Sequence, residues 1–347
     1  MTAPDLHPPV RRSIAGRSNG LRSLWLAGLV ALLAGLGALS VTTGSRDVAW
    51  ADIVAALAGG RDTIGQAAVA LRIPRTLLAM LAGSALGLAG AVMQGVTRNP
   101  LADPGILGVN TGASLAVAIG VAWFNIASAD AYIWTAIAGA GLTAAFVYTI
   151  GSMGRGGATP LKLALAGVAT SIAFSSLVTA VVLPRNDIAG GIRSWQMGGV
   201  GGATFERILP AMPFLAVGLA IGLLSARRLN SLALGDELAA GLGERVALAR
   251  AVAALGAILL CGATTAVCGP IGFLGLVVPH LCRLLVGPDY RWLLPFSTLG
   301  GACLLLAADI AGRIVARPAE LDVGIVTAFI GAPFFVWVVM QQRIREL

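Results

Sequence analysis

The sequence predicts an all-α membrane protein with ten transmembrane helices and both termini in the cytoplasm. Of its 347 residues, 57% are hydrophobic and only 12% are charged, whereas a soluble domain usually contains about 25% charged residues. The charges are also spaced so that they leave long uncharged runs, and roughly 20 apolar residues suffice to cross a bilayer. Because backbone groups in lipid must be satisfied within the segment, these runs are predicted to be helices.

Eight uncharged runs predict one crossing each, and a ninth, longer run predicts two, which gives ten spans. The ninth run extends from Arg250 to Arg283 and contains Cys268-Gly-Pro270, and glycine and proline together end a helix. The other eight lie between Arg22 and Arg46, Arg75 and Arg98, Asp103 and Asp130, Asp130 and Arg155, Lys162 and Arg185, Arg207 and Arg227, Arg291 and Asp309, and Asp322 and Arg343.

Lysine and arginine residues predict the orientation, because short cytoplasmic loops carry an excess of them. Fifteen lie on the side of the termini and nine on the other side, which places both termini in the cytoplasm. Residues 1–22 are predicted to form a disordered cytoplasmic tail, and residues 23–347 a single transmembrane domain. The first apolar run exceeds the roughly 7–15 residues of a signal peptide, so it is predicted to be a retained span. The segment Val48–Leu57 has helical spacing and is predicted to lie along the outer surface.

Several function classes lack their characteristic residues in this sequence. Lys162 is the single lysine and no P-loop motif surrounds it, so the chain is not expected to hydrolyse ATP by that route. The sequence has neither a His-Glu-x-x-His nor a Gly-x-Ser-x-Gly motif, and its four cysteines form no Cys-x-x-Cys pair. We therefore predict no catalytic residues, no metal site and no cofactor on this chain. The net charge of +8 is scattered over loops, which argues against a nucleic-acid partner.

Asp309 is the one acidic residue at plausible membrane depth, and it precedes Arg313 by four residues. Residues at that spacing share a helix face, so we predict a structural ion pair rather than a proton relay. Ion-driven transporters usually keep carboxylates within their spans. The scarcity of such residues argues against an ion-coupled secondary transporter, which is the alternative from a different class. Gly83-Ser-Ala-Leu-Gly87 is a spacing that lets helix backbones approach closely in lipid.

Several motifs together resemble one family, the iron-siderophore, haem and cobalamin permeases of bacterial ABC importers. The resemblance runs in matching order from about Trp50 to the C-terminus. Its motifs are Arg72-Ile-Pro-Arg-Thr76, Gln94-Gly-Val-Thr-Arg-Asn-Pro-Leu-Ala-Asp-Pro-Gly-Ile-Leu-Gly108, Gly269-Pro-Ile-Gly-Phe-Leu-Gly-Leu-Val-Val-Pro-His280, Ala308-Asp-Ile-Ala-Gly-Arg313 and Gly324-Ile-Val-Thr-Ala-Phe-Ile-Gly-Ala-Pro-Phe-Phe335.

The resemblance implies the type II ABC importer permease architecture, in which this subunit pairs with a second, homologous or identical, permease subunit. Two cytoplasmic ATPase chains would hold ATP and Mg, and a soluble or lipid-anchored siderophore-binding protein would dock outside. The chain would be a multi-pass protein of the bacterial plasma (inner) membrane, surrounded by lipid, and not itself an enzyme. Local matches at Asn110–Ser114 and Val286–Pro295 resemble the ferric-enterobactin permeases within the family. The predicted cargo is therefore an iron(III)-siderophore complex, with haem or cobalamin as the alternative.

The long internal loop from Arg227 to Arg245 is the candidate contact with the ATPases. Two short helices are predicted there, broken at Gly241 or Gly243, and an apolar cluster is expected to be exposed, which is typical of a partner surface. That cluster consists of Leu232, Leu234, Leu238 and Leu242. By resemblance this loop is the coupling segment, with candidate residues Leu234, Gly235, Asp236, Glu237, Gly241 and Gly243.

Two further sites follow from the resemblance. Arg72, Arg75 and Arg313 correspond to positions that meet acidic residues on the binding protein, where complementary charge speeds docking. The polar stretch between residues 94 and 114 is predicted to be a cytoplasmic corner or gate near the ATPase contact. Pro104 is expected to start the second of its helices, and Asp103 to cap it. The corner candidates are Arg98, Asn99, Pro100 and Asp103.

Overall fold

The computed structural model describes residues 19–105, 108–153 and 160–343, and this part of the chain is helical, without strands. In chain order the helices are α1 (Asn19–Thr42), α2 (Trp50–Leu57), α3 (Ile64–Thr97), α4 (Val109–Phe124), α5 (Ala129–Ser152), α6 (Pro160–Val182), α7 (Asn186–Gln196), α8 (Phe205–Ile208), α9 (Met212–Leu224), α10 (Ala226–Ala233), α11 (Asp236–Gly241), α12 (Val246–Cys268), α13 (Leu274–Val286), α14 (Tyr290–Val315) and α15 (Val323–Arg343).

An apolar helix occupies each of the ten predicted spans. Seven helical segments are long and apolar enough to cross a membrane, namely α1, α3, α5, α6, α12, α14 and the continuous stretch Phe205–Leu224. The apolar helices α4 and α13 and the apolar part of α15 are shorter. The all-α membrane architecture is therefore confirmed, whereas the count of ten crossings stays a prediction.

The break predicted at Cys268-Gly-Pro270 is confirmed, because α12 ends at Cys268 and α13 begins at Leu274. Gly269 has φ +71, and a methyl group on its Cα would overlap the carbonyl oxygen of Trp195. Only glycine meets both conditions at low cost. The helix predicted along the surface is also present, as α2, Trp50–Leu57.

The first helix begins earlier than predicted. We placed residues 19–22 in the disordered tail, but α1 starts at Asn19 and includes them. These four residues contain no proline, and Leu21 and Arg22 are among the better helix formers. The remainder of the predicted tail lies outside the described residues.

The long helix α3 forms the centre of the fold and is buried along most of its length. Methyl groups added at Gly83 and Gly87 would overlap carbonyl oxygens of Gly301 and Ser297 on α14. The backbones of α3 and α14 are therefore in direct contact, as the Gly-x-x-x-Gly spacing predicted. Close contact of this kind leaves little room for one helix to slide past the other.

Candidate functional site

A buried ion cluster joins one end of α14 to the first half of α3. Arg75 contacts Asp309 Oδ1 through Nη2 at 2.8 Å and Nε at 3.0 Å, and Arg313 Nη2 lies 2.9 Å from Asp309 Oδ2. The side chains of Asp309 and Arg313 are 1% and 2% exposed. The predicted Asp309–Arg313 ion pair is confirmed, and Asp309 has a second cationic partner. Arg75 also pairs with Glu320 in the loop after α14.

Two arginines of this cluster donate hydrogen bonds to backbone carbonyl oxygens at and just after the end of α1. Arg313 Nη1 donates to the carbonyl oxygens of Ser40 at 2.9 Å and Thr43 at 3.0 Å. Arg72 Nη1 donates to Thr42 O at 2.9 Å, and its Nη2 to Arg46 O at 2.8 Å. The last carbonyl oxygens of a helix lack hydrogen-bond donors within the helix. Here the side chains of two arginines provide those donors.

We refer to Arg72, Arg75, Asp309, Arg313 and Glu320 as the arginine cluster. The structure brings the three arginines predicted for docking together, yet it directs their guanidinium groups towards the chain's own acceptors. Their observed contacts fasten α1, α3 and α14 to one another. Docking of a binding protein at this end stays a prediction.

The coupling segment consists of two short helices, as predicted, but the break lies elsewhere. The helices α10 and α11 are separated at Gly235, which has φ +107, whereas Gly241 is the last residue of α11 and Gly243, with φ +84, follows it. The prediction of a break between them at Gly241 or Gly243 was therefore wrong. A φ of this size is strained for any residue with a side chain, so Gly235 sets the angle between the two helices.

Three of the four leucines predicted to be exposed form an apolar surface on the coupling segment. Leu234, Leu238 and Leu242 are 57%, 63% and 69% exposed. Leu232 is fully buried, so the prediction for it was wrong. It lies three residues after the buried Leu229, and that spacing puts both side chains on the face of α10 that packs against the core.

The coupling segment meets the predicted corner through Asp236. Its carboxylate Oδ1 lies 2.8 Å from Arg250 Nη2 on α12 and 3.4 Å from Arg98 Nη2, just after α3. Arg98 ends α3 in a left-handed conformation, with φ +52. The corner, which the sequence predicts near the ATPase contact, and the coupling segment are thus in direct contact. Glu237 is exposed on this surface.

The corner is a chain of tight turns. The side-chain oxygen of Asn99 accepts from Leu101 N at 2.9 Å, and Asp103 Oδ1 accepts from Gly105 N at 2.7 Å. Pro100 follows the end of α3, as expected. The helix α4 begins only at Val109, after Gly108. The predictions that Pro104 starts α4 and Asp103 caps it were therefore wrong, because Asp103 forms a local turn instead.

The sequence that builds this fold matches a known family of transport proteins over most of its length. The model of the FecCD transport family matches residues 32–341. The chain belongs to the FecCD transport family. The arginine cluster, the corner and the coupling segment all lie within the matched range.

Individual FecCD relatives and solved structures are similar over most of their length. The ferric enterobactin transport system permease protein FepD of Escherichia coli (strain K12) is 42% identical over 92% of this chain and 96% of its own. The hemin transport system permease protein HmuU of Yersinia pestis is 41% identical over 79% of this chain and 83% of its own. A solved structure described as an inward-facing conformation of a metal-chelate type ABC transporter is 31% identical, with a TM-score of 0.77. The match covers 92% of this chain and 99% of the other.

One contact of this FecCD chain was missed by the sequence analysis. Asn230 on α10 donates through Nδ2 to Asp289 Oδ1 at 2.7 Å, and its Oδ1 accepts from Tyr290 N at 3.0 Å. Asp289 also caps α14 by accepting from Arg291 N at 3.0 Å. An aspartate just before an apolar helix is a recognisable cap signal. Nothing in the sequence indicates that Asn230, nearly 60 residues earlier, would complete it.

His280 and the four cysteines have side chains of types that can bind metals, and they lie in packing positions. The ring of His280 packs edge-on against Phe334, with centroids 5.5 Å apart. Cys261, Cys268, Cys282 and Cys303 are all buried and unpaired. No group of three or more possible ligands occurs among the residues that the structure describes.

Proposed function

We propose that this chain is the membrane-spanning subunit of an ATP-driven importer that carries iron(III)-siderophore complexes into the cytoplasm. Its similarity to permeases named for ferric enterobactin and hemin supports the importer class. The match to the former extends over 92% of this chain, against 79% for the latter, which favours a siderophore cargo. In this proposal the chain lies in the bacterial inner membrane and has no enzymatic activity of its own. ATP and Mg are bound by partner ATPases.

The single structural observation that carries this proposal is the coupling segment. Three leucines between 57% and 69% exposed project beside the charged Glu237. An exposed apolar cluster rimmed by charge is typical of a protein interface. We assign it to the cytoplasmic ATPase chains, two of which would bind a pair of permease subunits. The corner at Arg98 and Asn99 would lie against the same contact.

The opposite end of the fold is proposed to receive a soluble or lipid-anchored binding protein. The arginine cluster has three cations and two carboxylates, so its formal net charge is +1. A positive end attracts acidic residues of a partner and raises the rate of association. Arg72→Glu should slow association at low salt, measured by surface binding, after a melting curve shows that the variant is folded. Equal rates at low salt for wild type and variant would contradict docking here.

Uptake of labelled cargo tests the proposed function. A strain that lacks this gene should lose accumulation of radioactive iron supplied as ferric enterobactin, and the gene on a plasmid should restore it. Hemin is the second candidate cargo, because the hemin permease is 41% identical, and cobalamin is a third arm. If the gene restored uptake of hemin or cobalamin but not of ferric enterobactin, that cargo would replace the siderophore in the assignment. Uptake that responds to a collapsed proton gradient, with no dependence on the ATPases, would contradict the importer class.

A further inference from the structure

The helix α14 connects the coupling segment with the arginine cluster. At one end, Asn230 of α10 bonds to Asp289 and to the backbone N–H of Tyr290, within the first turn of α14. At the other end, Asp309 and Arg313 of α14 belong to the arginine cluster. One helix of 26 residues therefore contacts both candidate interfaces.

The helix α14 is also fixed to α3, so that the two can move only together. Their backbones touch at Gly83, Gly87 and Gly301, where added methyl groups would overlap carbonyl oxygens of the opposite helix. The pair Arg75–Asp309 holds them near the cluster. Tightly packed interfaces shift between discrete arrangements and do not deform continuously. A displacement at one end of this pair should therefore appear at the other.

The Asn230 contact is geometrically suited to transmit such a displacement. It consists of two hydrogen bonds in opposite directions, of 2.7 Å and 3.0 Å, and the first has a charged acceptor. Hydrogen bonds to charged groups are the stronger class. Leu229 and Leu232 also pack α10 against the core, but apolar contacts fix no polar register. The other polar connections run from Asp236 to Arg98 and Arg250, and the Asp236 side chain is 45% exposed. Exposed pairs of this kind contribute little.

We propose that Asn230 is a positioning residue that joins the coupling segment to the α3–α14 pair, and that this pair carries movement of the coupling segment to the arginine cluster. The inference rests on the proposed function, because it assumes that ATPase chains move the coupling segment. It assigns a role in transmission to a side chain that contacts neither the cargo nor a nucleotide. Coupling of this kind requires a two-state element that both ends bias.

Exchanging the two side chains of the contact separates transmission from folding. Asn230→Asp places a carboxylate against Asp289 and removes the donor. In the double variant Asn230→Asp with Asp289→Asn, the amide at 289 donates to the carboxylate at 230, and asparagine is an equally good helix cap. Ser231→Ala is the matched control, because Ser231 lies on the same helix and its hydroxyl donates within that helix, to Arg227 O.

The readout is a distance within one chain of the complete transporter in nanodiscs. Spin labels on Val315→Cys at the end of α14 and Leu183→Cys after α6 are accessible, since these positions are 78% and 62% exposed. The native cysteines are buried. The distance is compared without nucleotide and with ATP plus vanadate, in each variant. ATPase rates without binding protein are recorded in parallel.

The wild-type complex and the Ser231→Ala control should show a shifted distance with ATP plus vanadate. Asn230→Asp should lower the shifted-to-unshifted ratio at least about fivefold, the lower range of allosteric coupling, and the exchanged pair should restore it. An unshifted wild type, an Asn230→Asp variant that shifts normally, or an assembled exchanged pair that does not shift would overturn the inference. A normal shift in a transporter that imports none of the cargoes would count against the proposed function alone.

Discussion

Replacing Asp309 with asparagine tests what holds the arginine cluster together. The side chain is 1% exposed and lies between Arg75 and Arg313. Asparagine has nearly the same shape and keeps an oxygen that can accept from either arginine, so the change removes the charge with little effect on packing. Both arginines then remain within the fold without their shared carboxylate, and an uncompensated buried charge is strongly destabilising.

The contacts that remain place the expected loss in the free energy of unfolding near the low end of the usual range. Breaking a buried ion pair by removing one partner costs about 3–5 kcal/mol. Arg313 would keep Ser40 O, Thr43 O and Ser40 Oγ as acceptors, and Arg75 would keep Glu320. We therefore expect a loss of about 3 kcal/mol in the free energy of unfolding.

Thermal unfolding of the purified protein in detergent measures this loss. At roughly 2 °C per kcal/mol for a chain of this size, the midpoint should fall by about 6 °C. Glu320→Gln is the matched control, because it also removes one carboxylate from Arg75 but its side chain is 36% exposed. An exposed pair contributes about 0–1 kcal/mol, so that midpoint should fall by at most about 2 °C. Equal midpoints for the two variants would refute the reasoning.

Three further predictions concern the contact between α3 and α14, the coupling segment and the titration of Glu320. Gly87→Ala should lower the melting midpoint by several degrees, because the added methyl group meets a carbonyl oxygen of α14. Gly190→Ala is the control, because there is open space around Gly190, and its midpoint should not change. Equal midpoints for the two variants would contradict the close packing. Glu237→Lys should reduce ATPase stimulation by the loaded binding protein in proteoliposomes about tenfold, and unchanged stimulation would remove the coupling role. Burial alone would raise the pKa of Glu320, but hydrogen bonds from Arg75 and a serine outweigh it and hold that pKa below its usual value. Its stabilising effect should therefore be complete above the unfolded pKa and lost as pH falls through the folded one. Wild type and Glu320→Gln should differ in melting at about pH 7 and converge as the pH is lowered below the folded pKa.

Charge spacing along the chain predicted where the apolar helices lie. Each uncharged run between the charged residues became an apolar helix, and the break at Cys268-Gly-Pro270 separates α12 from α13. These features depend on how many consecutive residues avoid charge and on where proline and glycine interrupt them, which are properties of the chain in one dimension. The ion pair of Asp309 with Arg313 was predictable for the same reason, because one turn of one helix contains both.

The tertiary structure decided which partners these residues have. Arg75 reaches Asp309 across 234 positions, Arg313 reaches the end of α1, and Asn230 completes the cap of α14. Leu232 is buried although its neighbour Leu234 is exposed, because the rotation of α10 against the core selects one face. Spacing within a helix shows which side chains share a face. Only the packing of helices against one another shows what that face contacts. For this reason the sequence predicted the three arginines to be docking residues, whereas in the fold they bind acceptors of the chain itself.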